Sequence, residues 1–136
     1  MHTFRLEVPV TVRFRDIDSM GHVNNAVYFT YLESARVELI RKTGFKGKQA
    51  GDAEGPALVS TSCDFKRQVV YPATLDVGVR VERIGRRSFE TSYGIFVHDT
   101  DQFVASARSV NAWVDYAAER AVELPSWFRE ALAEYQ

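Results

Sequence analysis

The stretch Arg15-Asp16-Ile17-Asp18-Ser19-Met20-Gly21-His22-Val23-Asn24-Asn25 lies where one hydrophobic periodicity gives way to another. Before it, Leu6, Val8, Val10, Val12 and Phe14 alternate with Glu7, Pro9, Thr11, Arg13 and Arg15, the period-two pattern of a half-buried strand. Pro9 lacks an N–H, which predicts an edge position or a bulge. After it, Tyr28, Leu32, Ala35 and Leu39 recur at helical spacing, with Phe29 and Ile40 widening the stripe. This predicts one helix over 25–43, about five turns long. Arg41 and Lys42 complement the dipole of its last turn, and Gly44 suits the residue just past its end.

Working outward, 45–55 is polar and glycine-rich and reads as a mobile loop. Strands are predicted over 57–70, around Val77, Val79 and Val81, over 88–97 and over 103–114, with Asp99-Thr100-Asp101-Gln102 as a hairpin turn. Pro125-Ser126-Trp127-Phe128 then opens a short helical pattern through Leu132 and Tyr135. Strand, long helix, four strands and short helix make an α+β chain whose economical architecture is a five-stranded antiparallel sheet curled around the long helix. One helix covers only part of such a sheet, so a second subunit is expected to complete it.

With 136 residues, the chain 1–136 fits one domain with a sizeable core. A formal net charge of −1 leaves no basic excess for a phosphate backbone, so nucleic acid is not an expected partner. Cys63 is the only cysteine, which excludes an intrachain disulfide, and the N-terminus has no apolar secretory segment. A cytoplasmic location is expected. No run of about eighteen apolar residues occurs, so no membrane span is expected either.

The opening stretch gathers carboxylate, imidazole and amide groups at the start of a helix, where unpaired backbone N–H groups hold developing negative charge. That layout suits acyl transfer. An aspartate before a helix is by itself most often a cap, and Asp16 suits capping or pairing with Arg13 or Arg15. His22 reads as a turn residue or a water-orienting group, and Asn24 and Asn25 suit a cap equally well; Asn25 could also orient a thioester or water. Asp16, Asp18 and His22 offer too few ligands for a hard metal or zinc, so no metal site is expected.

Asp16 to Phe29, followed by Leu32-Glu33-Ser34-Ala35-Arg36, resembles the signature of the hotdog-fold acyl-CoA thioesterases related to 4-hydroxybenzoyl-CoA thioesterase. Asp64-Phe65-Lys66-Arg67 with Tyr71-Pro72, and Arg83-Ile84-Gly85-Arg86-Arg87-Ser88-Phe89, resemble later blocks of that family. The resemblance implies hydrolysis of acyl-CoA thioesters with Asp18 as the catalytic carboxylate, in a homodimer with sites between subunits, with pairing into a homotetramer expected. It also puts Arg86 and Arg87, beside Ser88, near the nucleotide of coenzyme A. Lys66-Arg67 is a second basic pair assigned to the same ligand. From the residues alone a charge pair is usually a solvated face, although arginine forks do match the phosphates of coenzyme A. An acyl carrier protein thioester is an alternative substrate.

The chemistry is undemanding. A thiolate with a reference pKa of about 8.5 leaves without strong acid help. A carboxylate and an oxyanion hole are enough, so no cofactor is expected beyond coenzyme A as part of the substrate. Asp18 would act as nucleophile or as general base, with backbone N–H groups near Val27 or Tyr28 as the oxyanion hole. Two other readings have less support. An enoyl-CoA hydratase of the same fold would show an Asp-x-Asn-x-x-His pattern, whereas Asp18 and His22 stand four apart with Asn24 after both. A non-catalytic acyl-CoA-binding regulator would be expected to carry a DNA-binding segment before strand one.

Overall fold

The computed structural model describes residues 4–136. Strand β1 (Leu6–Thr11) ends sooner than the alternation predicts. Val12 still enters the core, but Phe14 opens a single 3-10 turn, Phe14–Asp16, and is left 77% exposed. The cause is the Asp16 carboxylate, which accepts the Arg13 backbone N–H at 2.9 Å and folds the chain back on itself.

Helix α1 (Asn25–Lys42) starts where predicted because Asn24 caps it, its side-chain oxygen taking the Ala26 N–H at 2.8 Å. It ends at Gly44, whose φ of +96° is the left-handed conformation a helix stop requires. The polar loop that follows is tied to itself. Lys48–Ala50 form a 3-10 turn, and the Asp52 carboxylate accepts the N–H groups of Lys46 and Gly47.

Strands β2 (Glu54–Phe65), β3 (Thr74–Ile84), β4 (Ser88–Val97) and β5 (Phe103–Asp115) follow. β2 stops five residues before the predicted Val70 because the N–H groups of Lys66 and Arg67 both turn to one carbonyl, that of Val104. A further two-residue strand, β6 (Arg120–Ala121), pairs with β5. The expected five-stranded sheet is therefore six-stranded; two residues are too few to show a period. The strand order is β1-β3-β4-β5-β2, all antiparallel, so Pro9 does lie on an edge strand. β2 is the other edge.

Leu32, Ala35 and Leu39 of α1 are fully buried, as are Leu75, Val77, Phe89 and Ile95 from the sheet. Helix α2 (Ser126–Ala133) is too short to be stable alone, so its docking holds it. Phe128 packs 4.4 Å from Trp113 and 5.5 Å from Phe89, and Leu132 is sealed beneath. α1 leaves the middle of β2 uncovered: Leu58 and Val59 are 47% and 63% exposed.

The sheet has two well-separated ends. On β5, Ala105 faces Phe65 and Ile95 at one end, while Ala112 faces Ala57 and Ser88 at the other. Seven residues separate Ala105 from Ala112, about 23 Å of strand.

Candidate active site

Two aspartates two residues apart have opposite environments. Asp16 is 2% exposed, and its carboxylate accepts the Arg13 N–H, the Arg13 guanidinium at 3.1 Å and the Tyr31 hydroxyl at 2.7 Å. Burial pushes its pKa up, but those three donors together hold it below the ordinary aspartate value. It is fully engaged in structure. Asp18 is half-buried, and its Oδ1 accepts the Met20 N–H at 2.8 Å, a local turn that aims the carboxylate outward.

The turn around Asp18 is closed by backbone. Asp18 N–H donates to the His22 carbonyl at 2.9 Å, Gly21 N–H donates to the Asp18 carbonyl, and Ile17 bridges to Val23. Gly21 makes this possible with φ +88°, which other residues adopt at a cost. Val23 N–H then donates to Val69, and Asn24 N–H to the Asp16 carbonyl. The buried aspartate thus positions both sides of the turn that presents its neighbour.

The first turn of α1 shows which donor is free. Ala26 N–H is taken by the Asn24 side chain and Val27 N–H by the Asn24 carbonyl at 2.9 Å. Tyr28, fourth in the helix, closes the first regular helical bond. The Asn25 N–H has no acceptor among the described residues. The cap thus engages the N–H groups of Ala26 and Val27, the latter one of the two positions where an oxyanion donor is expected, and leaves that of Asn25 open among the described residues.

One cavity of about 500 Å³ gathers most of the expected residues: Asp18, His22, Asn25 and Tyr28 line it, with Lys66 and Arg67 opposite. Met20 and Phe65, both exposed, border it too. Tyr28 is buried to 2% and stands edge-on to Phe65 at 5.1 Å. Burial, reinforced by nearby Cys63, pushes its hydroxyl up to about 12, so it stays protonated at neutral pH as a hydrogen-bond donor.

Arg86, Arg87 and Ser88 are not in this cavity. They form the tight β3–β4 turn at the opposite end of the sheet, where Trp113 N–H donates to the Arg87 carbonyl and Leu124 N–H to that of Arg86. Arg86 is paired with Glu123 at 2.7 Å. Arg87 lines a second cavity of about 530 Å³ together with Arg120, a residue that sequence reasoning missed. Nothing periodic marks Arg120; only the pairing of β6 with β5 brings it to Arg87.

Comparison with known proteins defines the family. The thioesterase-like superfamily sequence model matches residues 12–132, and the chain belongs to that superfamily. The crystal structure of the PA5185 protein of Pseudomonas aeruginosa is 30% identical and superposes with a TM-score of 0.89, covering 98% of this chain and 92% of that one. A thioesterase of Thermus thermophilus, solved with coenzyme A and zinc, is 29% identical with a TM-score of 0.83, covering 95% of this chain and 98% of that one. The long-chain acyl-CoA thioesterase FadM of Escherichia coli is 24% identical over 127 residues, 93% of this chain and 96% of its own. The hotdog architecture is established, and thioester hydrolysis is the general class of reaction these relatives support. No helix among the described residues is long and apolar enough to cross a membrane.

Proposed function

We propose that the protein hydrolyses acyl-CoA thioesters to free acid and coenzyme A at the cavity beside Asp18. The observation that carries this reading is the pairing of an outward carboxylate with an open helix N–H: Asp18 and Asn25 line the same cavity, and the Asn25 N–H lacks an acceptor among the described residues. As a nucleophile, an Asp18 oxygen forms a mixed anhydride and the thiolate leaves; water then splits the anhydride. As a general base, Asp18 takes a proton from the water that attacks the carbonyl. In both routes the Asn25 N–H holds the oxyanion, while His22 and Tyr28 orient water and the thioester. Neither route calls on a metal or further cofactor.

A homodimer reconciles the two separated basic sets. The 12-residue edge strand β2, with its exposed Leu58 and Val59, is an interface candidate. Antiparallel pairing of two β2 edges would bring the Ser88 end of one copy toward the Phe65 end of the other. Arg87 and Arg120 of the second copy would then hold the phosphates of coenzyme A, Ser88 and Arg86 would shape that turn, and Lys66 and Arg67 would border the thioester end. Wild-type protein should release thiol from an acyl-CoA panel, and Asp18→Ala should abolish release while its thermal melt is unchanged. Undiminished release by Asp18→Ala overturns the assignment.

A further inference from the structure

Among the described residues, Arg36 is a buried charge without a counter-ion. It is 7% exposed, and Nη1 donates to the Tyr93 hydroxyl at 3.3 Å, a neutral partner. No carboxylate pairs with it among the described residues. The hydroxyls around it are occupied with each other: Thr91 Oγ1 lies 2.8 Å from the Tyr93 oxygen, and Ser109 Oγ is 2.5 Å from Thr91 and 2.6 Å from Tyr93. One step along β5 on the same face, Asn111 is 2% exposed and its Nδ2 has no acceptor. Among the described residues, Asn111 Nδ2 thus has no acceptor and the buried Arg36 guanidinium has a neutral one in place of a carboxylate, an arrangement native interiors rarely tolerate.

The surroundings show where that acceptor can enter. In the β2–β5 register Phe65, Cys63, Thr61 and Leu58 face Ala105, Ala107, Ser109 and Asn111, so they share the face that carries α1. Cys63 is half-buried there, and Thr61 and Leu58 are exposed. They form an open strip of β2 on the face that carries α1, whose flank on that side bears Phe29, Arg36 and Ile40. Ile40 and Pro56, near the start of β2, line one cavity together with Phe45. Along this strip the contacts of α1 pass from Tyr28 against Phe65 to Arg36 against Tyr93. Eight helical residues from Tyr28 to Arg36 span about 12 Å. Four strand residues from Phe65 to Thr61, opposite Ser109, span about 13 Å, so the two measures agree.

We infer that Arg36, with Asn111 beside it, receives an oxygen acceptor at the far end of the acyl group, a carboxylate or a hydroxyl. The inference rests on the thioesterase reading and names its substrate class. A saturated chain with bonds of ~1.52 Å at ~111° advances about 1.25 Å per carbon, so acyl groups of about eight to ten carbons fit the span. A plain hydrocarbon tail would strip the remaining water from Arg36 and return no hydrogen bond. The rival acceptor is Glu33 of a second copy. Glu33 is exposed on the same flank and forms no ion pair among the described residues.

The test compares kcat/KM for octanoyl-CoA, 8-hydroxyoctanoyl-CoA and octanedioyl-CoA. Wild-type protein should favour at least one oxygen-terminated substrate over octanoyl-CoA by tenfold or more, about the worth of one hydrogen bond to a charged group. The arm with the larger preference distinguishes carboxylate from hydroxyl. Arg36→Met should erase the preference and Arg36→Lys should keep its sign, while Glu33→Gln should not change it. A wild-type ratio of one or less overturns the inference without needing any variant to fold. An Arg36→Met protein that loses the dimer but keeps the preference also overturns it, and gives Arg36 to Glu33 of the second copy. Turnover of octanoyl-CoA without preference leaves the thioesterase reading standing; absence of any thioester turnover removes both.

Discussion

The assignment of the oxyanion donor to backbone can be tested with a residue that deletes a single N–H. Asn25 is the first helical residue, where proline needs no N–H and its fixed φ matches the helix. Asn24 before it has φ −60° and ψ 133°, the extended region a residue preceding proline adopts. No hydrogen bond among the described residues is lost, because the Asn25 N–H makes none there. Asn25→Pro should therefore fold, with a stability change within ~1 kcal/mol. For 136 residues at ~2.1 cal/mol/K each, the unfolding entropy is about 0.29 kcal/mol/K, so Tm should move by no more than about 3 to 4 °C. Loss of one oxyanion donor costs ~10²- to 10³-fold in kcat, about 2.7–4 kcal/mol. Asn25→Ala controls for the side chain, since it keeps the N–H. Thiol-release kinetics on the three proteins, with melts alongside, give the answer. If Asn25→Pro turns over as fast as Asn25→Ala, the oxyanion is held elsewhere.

Other consequences are as direct. Asp16→Asn converts one carboxylate oxygen into an N–H₂ facing Arg13 or Tyr31 and forfeits a charged hydrogen bond worth ~1.5–3 kcal/mol, so its Tm should fall by about 5 to 10 °C while turnover per folded molecule persists. Asp18→Asn should do the opposite, since an amide oxygen still accepts Met20 N–H; a variant pair with the same phenotype contradicts the division of labour. Arg87→Ala with Arg120→Ala should raise KM for CoA thioesters at least tenfold and spare truncated thioesters lacking the nucleotide; equal effects on both would refute the nucleotide site. The Asp76 carboxylate accepts a hydrogen bond from His98 at 2.7 Å and, with Asp99, raises the His98 pKa. A raised pKa gives stability that is full below the unfolded value of about 6.5 and lost as pH climbs through the folded one. The Tm gap between wild type and His98→Gln should therefore be wider at pH 5.5 than at pH 8.5; a gap independent of pH rejects the coupling.

The long helix was legible because its apolar stripe repeats at helical spacing from Tyr28 to Leu39, and β4 spans 88–97 as read. What the periodicity could not show is where a side chain interrupts it. Phe14 continues the alternation of β1 in sequence, yet the carboxylate of Asp16 turns the chain there and leaves Phe14 in solvent. β6 is too short to carry a period, so Arg120 was invisible until its pairing with β5 set it beside Arg87.

The site was legible in its residue types and not in their division of labour. Two aspartates, an imidazole and two asparagines within ten residues announce chemistry, but choosing among them needs partners distant in sequence. Tyr31 reaches back fifteen residues to engage Asp16, which leaves Asp18 as the aspartate facing the cavity. Asn24 rather than Asn25 becomes the cap, and that choice frees the Asn25 N–H. Arg36 follows the same logic. In sequence it stands three residues after Glu33, at a spacing that allows the two to pair; only the fold puts the Tyr93 hydroxyl against it and Ser109 and Asn111 on the same sheet face. Backbone donors and buried charges gain their roles from what other groups leave unsatisfied, and that accounting exists only once the chain is folded.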